Sequence, residues 1–185
     1  MKADSVPDLG YANYKRLGLF IVRRLVPGSY AAVQIRKALT TDTGVLISLM
    51  EEFYAESNYG FDRQHVISAF NQLLADSGLG QAWIAEENGT ALGYIVLTVG
   101  FSMEYGGYDA FVEDLYIRPA YRQSGLGTGL MEVLVAECRR RYVRAVHLEV
   151  DRDNIAAKRL YKRFGFIDND RQLLTRRLEK AVHEI

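Results

Sequence analysis

The chain has 185 residues, 49% of them hydrophobic, with Lys+Arg and Asp+Glu balanced at 23 each. That size suits one ordinary domain with a substantial core, and the lack of a basic excess leaves no general field for nucleic acid or an anionic membrane. A single cysteine, Cys138, rules out an internal disulfide framework and suits a reducing, cytoplasmic compartment, and no apolar run approaches the ~20 residues that span a bilayer.

Residues 1–31 read as an N-terminal extension. The apolar stretch from Leu17 to Val22 is bounded by arginines and preceded by Asp4 and Asp8, a pattern unlike a signal peptide. A partly ordered or helical arm ending at Pro27-Gly28 is expected there, and the domain proper over residues 32–185. From Ala32, "AVQIRKA" alternates as a half-buried strand. "TTDTGVLISLMEEFYAES" has helical spacing, with Asp42 or Thr43 as N-cap. A second helix is expected from Asp62 to about Ala75. "QAWIAEENGTALGYIVLTV" reads as two strands about an Asn88-Gly89 turn. "GFSMEYGGYD" reads as a glycine-rich connection into the strand "AFVEDLYI", which Pro119 closes. "RQSGLGTGL", Arg122 to Leu130, then leads into an apolar helix that ends in Arg139 to Arg141. "AVHLEV" is a strand, "NIAAKRLYKRFGF" a helix stopped by Gly165, and "DNDRQLLTRRLEK" is expected to add a terminal strand or two. The fold class is mixed α/β.

Glycines in front of a helix allow an anion to approach bare backbone amides. A dinucleotide site would need a third glycine where Leu130 stands, and a P-loop would need Lys-Ser or Lys-Thr after the glycines. What remains is Arg122-x-x-Gly125-x-Gly127 at a strand-loop-helix junction. Here the sequence resembles the GNAT superfamily of acetyl-CoA-dependent N-acetyltransferases, whose pyrophosphate loop is Q/R-x-x-G-x-G/A. A second signature of that family lies downstream in its place: Asn154, Ala157, Tyr161, Gly165 and Phe166 match N-x-x-A-x-x-x-Y-x-x-x-G-F. The resemblance runs from about Val33 to the C-terminus. Gln123 stands where the family usually has glycine.

The resemblance implies a central, mostly antiparallel twisted sheet of six to seven strands flanked by about four helices, with a splay between the fourth and fifth strands. It implies that acetyl-CoA meets the loop residues Arg122, Gln123, Ser124, Gly125, Leu126, Gly127 and Thr128 through its diphosphate. Its pantetheine arm would meet Leu115, Tyr116 and Ile117, and Asn154, Ala157 and Tyr161 would line the other wall. Tyr161 would protonate the departing thiolate. "VEDLY" is similar to the diamine and polyamine branch, in which the glutamate acts as base through water; that gives Glu113 the base's role and Asp114 an amine-binding or structural one. Adjacent strand residues face opposite sides, so the two acids are not expected to share a role. A base is needed because an alkylamine near pKa ~10.4 costs about 4.6 kcal/mol to neutralise at pH 7.

Tyr54 and Tyr59, with Glu51, Glu52, Glu56 and Glu104 nearby in sequence or in the other acceptor loop, are expected to wall and attract a cationic amine. Cys138 reads as packing, and His65, His147 and His183 lack metal-ligand spacing. The implied partner is a small-molecule amine, and a homodimer is compatible with the family. A peptide, amino acid or aminoglycoside acceptor, or a non-catalytic CoA-binding regulatory domain, are the rival readings.

Overall fold

The computed structural model describes residues 20–26 and 29–178. The described chain divides into two compact units that meet in sequence at Asp151–Arg152. In the first unit six strands form one sheet in the order β1-β2-β3-β4-β5-β6. They are β1 (Phe20–Val26), β2 (Ser29–Lys37), β3 (Gly80–Glu87), β4 (Thr90–Ser102), β5 (Gly107–Ile117) and β6 (Ala145–Leu148). All neighbours are antiparallel except β5 and β6, which run parallel. Helices α1 (Thr43–Glu56), α2 (Arg63–Ala75) and α3 (Leu126–Arg140) complete this unit.

The sheet begins earlier than the alternation from Ala32 suggests. Phe20–Val26 is a strand, paired residue for residue with β2, where a helical or partly ordered arm is expected. "FIVRRLV" carries β-branched and aromatic residues that suit an edge strand, but its two arginines break the alternation. Residues 1–19, 27, 28 and 179–185 lie outside the described residues. The Asn88-Gly89 turn has positive φ at both positions, 50° and 77°, as a two-residue hairpin requires. Strand β4 extends to Ser102 and β5 starts at Gly107, so the expected glycine-rich connection contracts to a four-residue turn.

Both faces of the sheet are covered. On one, Leu46, Ile47 and Leu49 of α1 and Val66 and Phe70 of α2 pack on Ala82, Ile84, Tyr94, Val96 and Tyr116. The alternate strand residues Trp83, Ala85, Ile95 and Leu97 are buried as well, against α3, which contributes Leu126, Leu130, Met131, Leu134 and Cys138. Asp42 precedes α1 as expected, but its buried carboxylate accepts from both Arg36 Nη atoms (2.7 and 2.8 Å) and the Leu39 amide rather than capping the helix. Asp62 does cap α2, accepting from the His65 amide at 3.1 Å.

Strand β5 departs from regular pairing in two places. Val96 faces Asp114 and Leu97 faces Val112, so Glu113 is an extra residue, a β-bulge. Parallel pairing with β6 then stops at Val112–Leu148, and from Glu113 onward β5 has no strand on that edge among the described residues. The family resemblance implies a splay between the fourth and fifth strands, counted from Ala32; with β1 added ahead of them, those strands are β5 and β6, and their pairing ends here.

The second unit holds α4 (Ile155–Arg163). Asn154 caps it, accepting from the Ala157 amide at 3.0 Å, and Gly165 ends it at φ 84°. The expected terminal strand is absent from residues 167–178. The cause is local: Asp168 and Asn169 side chains accept from the amides two residues on, and Asp170 turns to φ 54°.

Candidate active site

A β-strand without a bulge would place Val112 and Asp114 on one face. The extra residue reverses that. Val112 pairs with Leu97 on the α3 side, whereas Asp114 and Tyr116 pair with Val96 and Tyr94 on the α1–α2 side. Glu113 joins them there, because its Oε1 accepts from the Thr98 hydroxyl at 2.5 Å, and Thr98 lies two residues from Val96. Glu113 and Asp114 therefore share a face, contrary to the simple alternation of a strand.

Their surroundings differ. Glu113 is exposed. Asp114 is buried, 9% exposed, and its Oδ2 accepts from the Tyr94 hydroxyl at 3.0 Å. Burial, with the negative charge of Glu113 beside it, pushes the Asp114 carboxyl up to about 6, against the lowering effect of the Tyr94 bond. Tyr54 is pushed up to about 12, by burial and then by Asp114 and Glu113. This places the α1 tyrosine beside the acid pair.

Around Tyr54 lies a cluster of rings. It meets Tyr59 and Phe61 edge-on at 5.6 and 5.9 Å, and Phe53 at 5.7 Å. The exposed Tyr59 hydroxyl donates to Asp151 Oδ2 at 3.3 Å and also feels Glu149. Along the same sheet face, Thr98, Gly100, Asp109, Phe111 and His147 line an open cavity of about 230 Å³. His147 Nε2 stands 3.7 Å from Asp109 Oδ2, and Tyr105 lies against the imidazole at 5.5 Å. Asp109, Glu149 and Asp151 thus add to an acidic, ring-walled surface, and sequence reasoning missed their part in it. The only signal was the two-residue spacing from His147 to Glu149 to Asp151, which needs the neighbouring α1 rings to acquire meaning.

Glu51, Glu52 and Glu56, also expected there, serve the fold. Glu52 takes two bonds from Arg118, at 2.8 and 2.6 Å; Glu56 pairs with Arg122 at 2.6 Å, and Glu51 with Arg63 at 2.7 Å. They lash α1 to the end of β5 and to α2, and each already has its cation.

At the glycine stretch, α3 begins at Leu126, so Gly127 and Thr128 belong to its first turn rather than to a loop. Gly125 takes φ 86°, and its carbonyl accepts the first helical bond, from Gly129 at 3.0 Å. The amides of Leu126 and Gly127 precede that first donor, Gly129, and point out of the helix end. Gln123 also takes a positive φ, 59°, at the position where the family usually has glycine. The side chains divide from the backbone here. Ser124 Oγ donates to the Tyr121 carbonyl, Leu126 is 1% exposed in the core, and Arg122 donates to the Ile117 carbonyl at 2.9 Å besides its pair with Glu56. A diphosphate fits this end through bare amides at glycines, with Arg122 half-exposed beside it.

Tyr116 cannot meet a ligand with its ring, which is 4% exposed and stacked on Phe53 at 5.5 Å. Only its backbone, with that of Leu115 and Ile117, lies along the unpaired edge of β5. In the second unit Tyr161 is half-buried on α4, 5.8 Å from the Phe166 ring, and the Asn154 carbonyl oxygen is committed to its cap. Cys138 is buried, and burial pushes its thiol up to about 11. Among the described residues no group of His, Cys, Asp and Glu could hold a metal ion, and no helix is long and apolar enough to cross a membrane.

Comparison with known proteins bears on the family and the fold. The model of the acetyltransferase (GNAT) family matches residues 46–166. The L-methionine sulfoximine/L-methionine sulfone acetyltransferase of Salmonella typhimurium is 28% identical over 115 residues, 55% of this chain and 66% of that protein. An integron cassette protein from the mobile metagenome of Cole Harbour Salt Marsh is 39% identical, with a TM-score of 0.71 over 81% of this chain and 93% of that one. A predicted acetyltransferase of Clostridium acetobutylicum, solved with acetyl-CoA, shares the fold at a TM-score of 0.68 and 24% identity, over 78% of this chain and 96% of that one.

Proposed function

This chain belongs to the acetyltransferase (GNAT) family, and on that premise we propose that it moves the acetyl group of acetyl-CoA to a small primary amine, a polyamine or diamine, by direct transfer with both substrates bound. The observation that carries the acceptor is the acidic, ring-walled face at the bulge. Glu113 and Asp114 lie there with Tyr54, and Tyr59 is joined to Asp151. In a chain of zero net charge, local acids and rings supply the attraction for an ammonium.

Acetyl-CoA would be held through its diphosphate at Gly125, Leu126 and Gly127, with Arg122 adjoining, and would run its pantetheine along the open edge of Leu115 to Ile117 as an added strand does. Gln123, Ser124 and Thr128 shape that end of α3, and Asn154 and Ala157 open α4. One carboxylate of the Glu113–Asp114 pair removes the ammonium proton, and an amide of the β5 edge steadies the carbonyl oxygen as it gains charge. Tyr161 gives its phenolic proton to the departing sulfur as a general acid.

The likeness to an enzyme named for methionine sulfoximine and methionine sulfone favours an amino-acid acceptor as the second reading. That acceptor brings a carboxylate, which the acids of this face would repel. Thiol release with acetyl-CoA against spermidine, putrescine, methionine sulfone, a peptide and an aminoglycoside decides between them. Spermidine or putrescine should give the highest kcat/KM. Turnover confined to methionine sulfone, the peptide or the aminoglycoside would overturn the acceptor class and leave the family standing.

A further inference from the structure

A carboxylate removed from water is ordinarily matched by a cation, because the charged form is costly in apolar surroundings. Asp114 has no ion pair among the described residues. The groups that face it are Tyr94 from β4, Tyr54 from α1, and Glu113 and Tyr116 from β5 itself. From α2 the same core receives Val66 and Phe70, which are apolar. None of these brings a positive charge. Glu113, by contrast, is exposed and held by a hydroxyl.

We infer that Asp114, rather than Glu113, takes the proton from the bound ammonium, with Tyr94 as the residue that positions its carboxyl and Glu113 as the charge that draws the amine in. The assignment rests on the acetyl-transfer reading above. The ammonium nitrogen gives one proton to the Asp114 carboxylate: an N–H bond breaks and an O–H bond forms. The neutral nitrogen attacks the thioester carbonyl carbon, the C–N bond forms and the C–S bond breaks. The sulfur takes a proton from Tyr161, whose phenolate recovers the second nitrogen proton through solvent. Asp114 then returns its proton to water, so one proton is released per turnover.

The carboxyl suits the task because burial has moved it towards neutrality, to about 6, where a base balances availability against proton affinity. The bulge supplies the geometry, since without it Asp114 would face α3 and the acid pair would be split between faces.

The test is the pH dependence of kcat/KM for the amine. The wild type should show an acidic limb near 6. Tyr94→Phe removes the bond that holds the carboxyl down, so the limb should move up. Glu113→Gln removes the charge that lifts it, so the limb should move down while the amine KM rises several-fold. Asp114→Asn should lose about 10²–10⁴ in kcat. A limb that stays in place in Tyr94→Phe and disappears in Glu113→Gln would overturn the assignment. A wild type that releases no thiol with any amine would instead overturn the transfer reading beneath it.

Discussion

At Asp114 the ordinary carboxylate value of 3.8 and the folded value of about 6 differ because burial disfavours the charge. A raised acid stabilises the fold while it holds its proton. That contribution is complete below about pH 4 and is lost as pH rises through 6, a difference of about 3 kcal/mol at ~1.4 per unit. Asp114→Asn cannot ionise and still offers an oxygen to the Tyr94 hydroxyl. It should therefore be more stable than the wild type at pH 7.5, by up to about 3 kcal/mol, and equal to it at pH 4. Urea unfolding at the two pH values checks this, and a variant less stable at both would refute it. A side chain that weakens the fold yet lies on the proposed acceptor face is a functional candidate on physical grounds. The sequence made both acids legible as chemistry. It could not show that they share a face, because a bulge leaves no period-2 signature in "FVEDLYI". The same limit applies to Tyr116, whose motif position suggests a ligand contact while its ring belongs to the core.

Among the elements, α3 carries two separable jobs at its two ends. At the N-terminal end, Gly127 sits in the first turn, where its backbone is helical and its missing side chain leaves the amides bare. Gly127→Ala should keep the fold or stabilise it by up to about 1 kcal/mol, yet weaken acetyl-CoA binding, as read by thermal unfolding and calorimetric titration. Undiminished affinity would place the diphosphate elsewhere. At the C-terminal end, Glu137 is 6% exposed and gathers Lys37 of β2 with Arg140 and Arg141 of its own helix. Arg141 also donates to the carbonyls of Ser77 and Gly80. The cluster clamps α3 to the end of β2 and the start of β3.

Arg140 above all, then Arg141 and Lys37, hold the Glu137 carboxyl near 2 despite burial, which acts the other way. Here the folded value is depressed, so the stabilisation is present above about 4.5 and lost as pH falls through 2. Glu137→Gln should cost about 3 kcal/mol at pH 7 and little near pH 2, with acetyl-CoA affinity unchanged; equal stability at pH 7 would refute the clamp. The helix itself, its glycine start and its arginine end were readable from periodicity and spacing. The arginines read as partners of the helix dipole, and their buried carboxylate partner stands out only once α3 is seated on the sheet.

For the whole molecule, the element order from β2 to α4 follows from hydrophobic period and turn chemistry, with Asn88-Gly89 and Gly165 in the conformations those residues favour. The ends of the chain were harder to read. Phe20–Val26 became a strand through pairing with β2, a tertiary choice that "FIVRRLV" alone does not dictate. Residues 167–178 failed to become one because Asp168-Asn169-Asp170 turns the backbone first. Leu173, Leu174 and Leu178 are left exposed in that segment. The family was legible in two motifs lying 32 residues apart, from Arg122 to Asn154; the proposed acceptor face was not, since it joins α1, β4, β5 and β6.

Direct transfer at that face is the central claim, and a single-turnover experiment tests it most directly. Protein and acetyl-CoA are mixed in equal amounts without an amine, free thiol is monitored, and spermidine is then added. The nearest internal alternative, a covalent acetyl-enzyme on Cys138, is opposed by a thiol that burial holds at about 11. Thiol should stay near baseline until the amine arrives, and should then appear together with acetylated spermidine in equal amount. A burst of thiol before the amine, with the acetyl group found on the protein and passed on later, would contradict direct transfer.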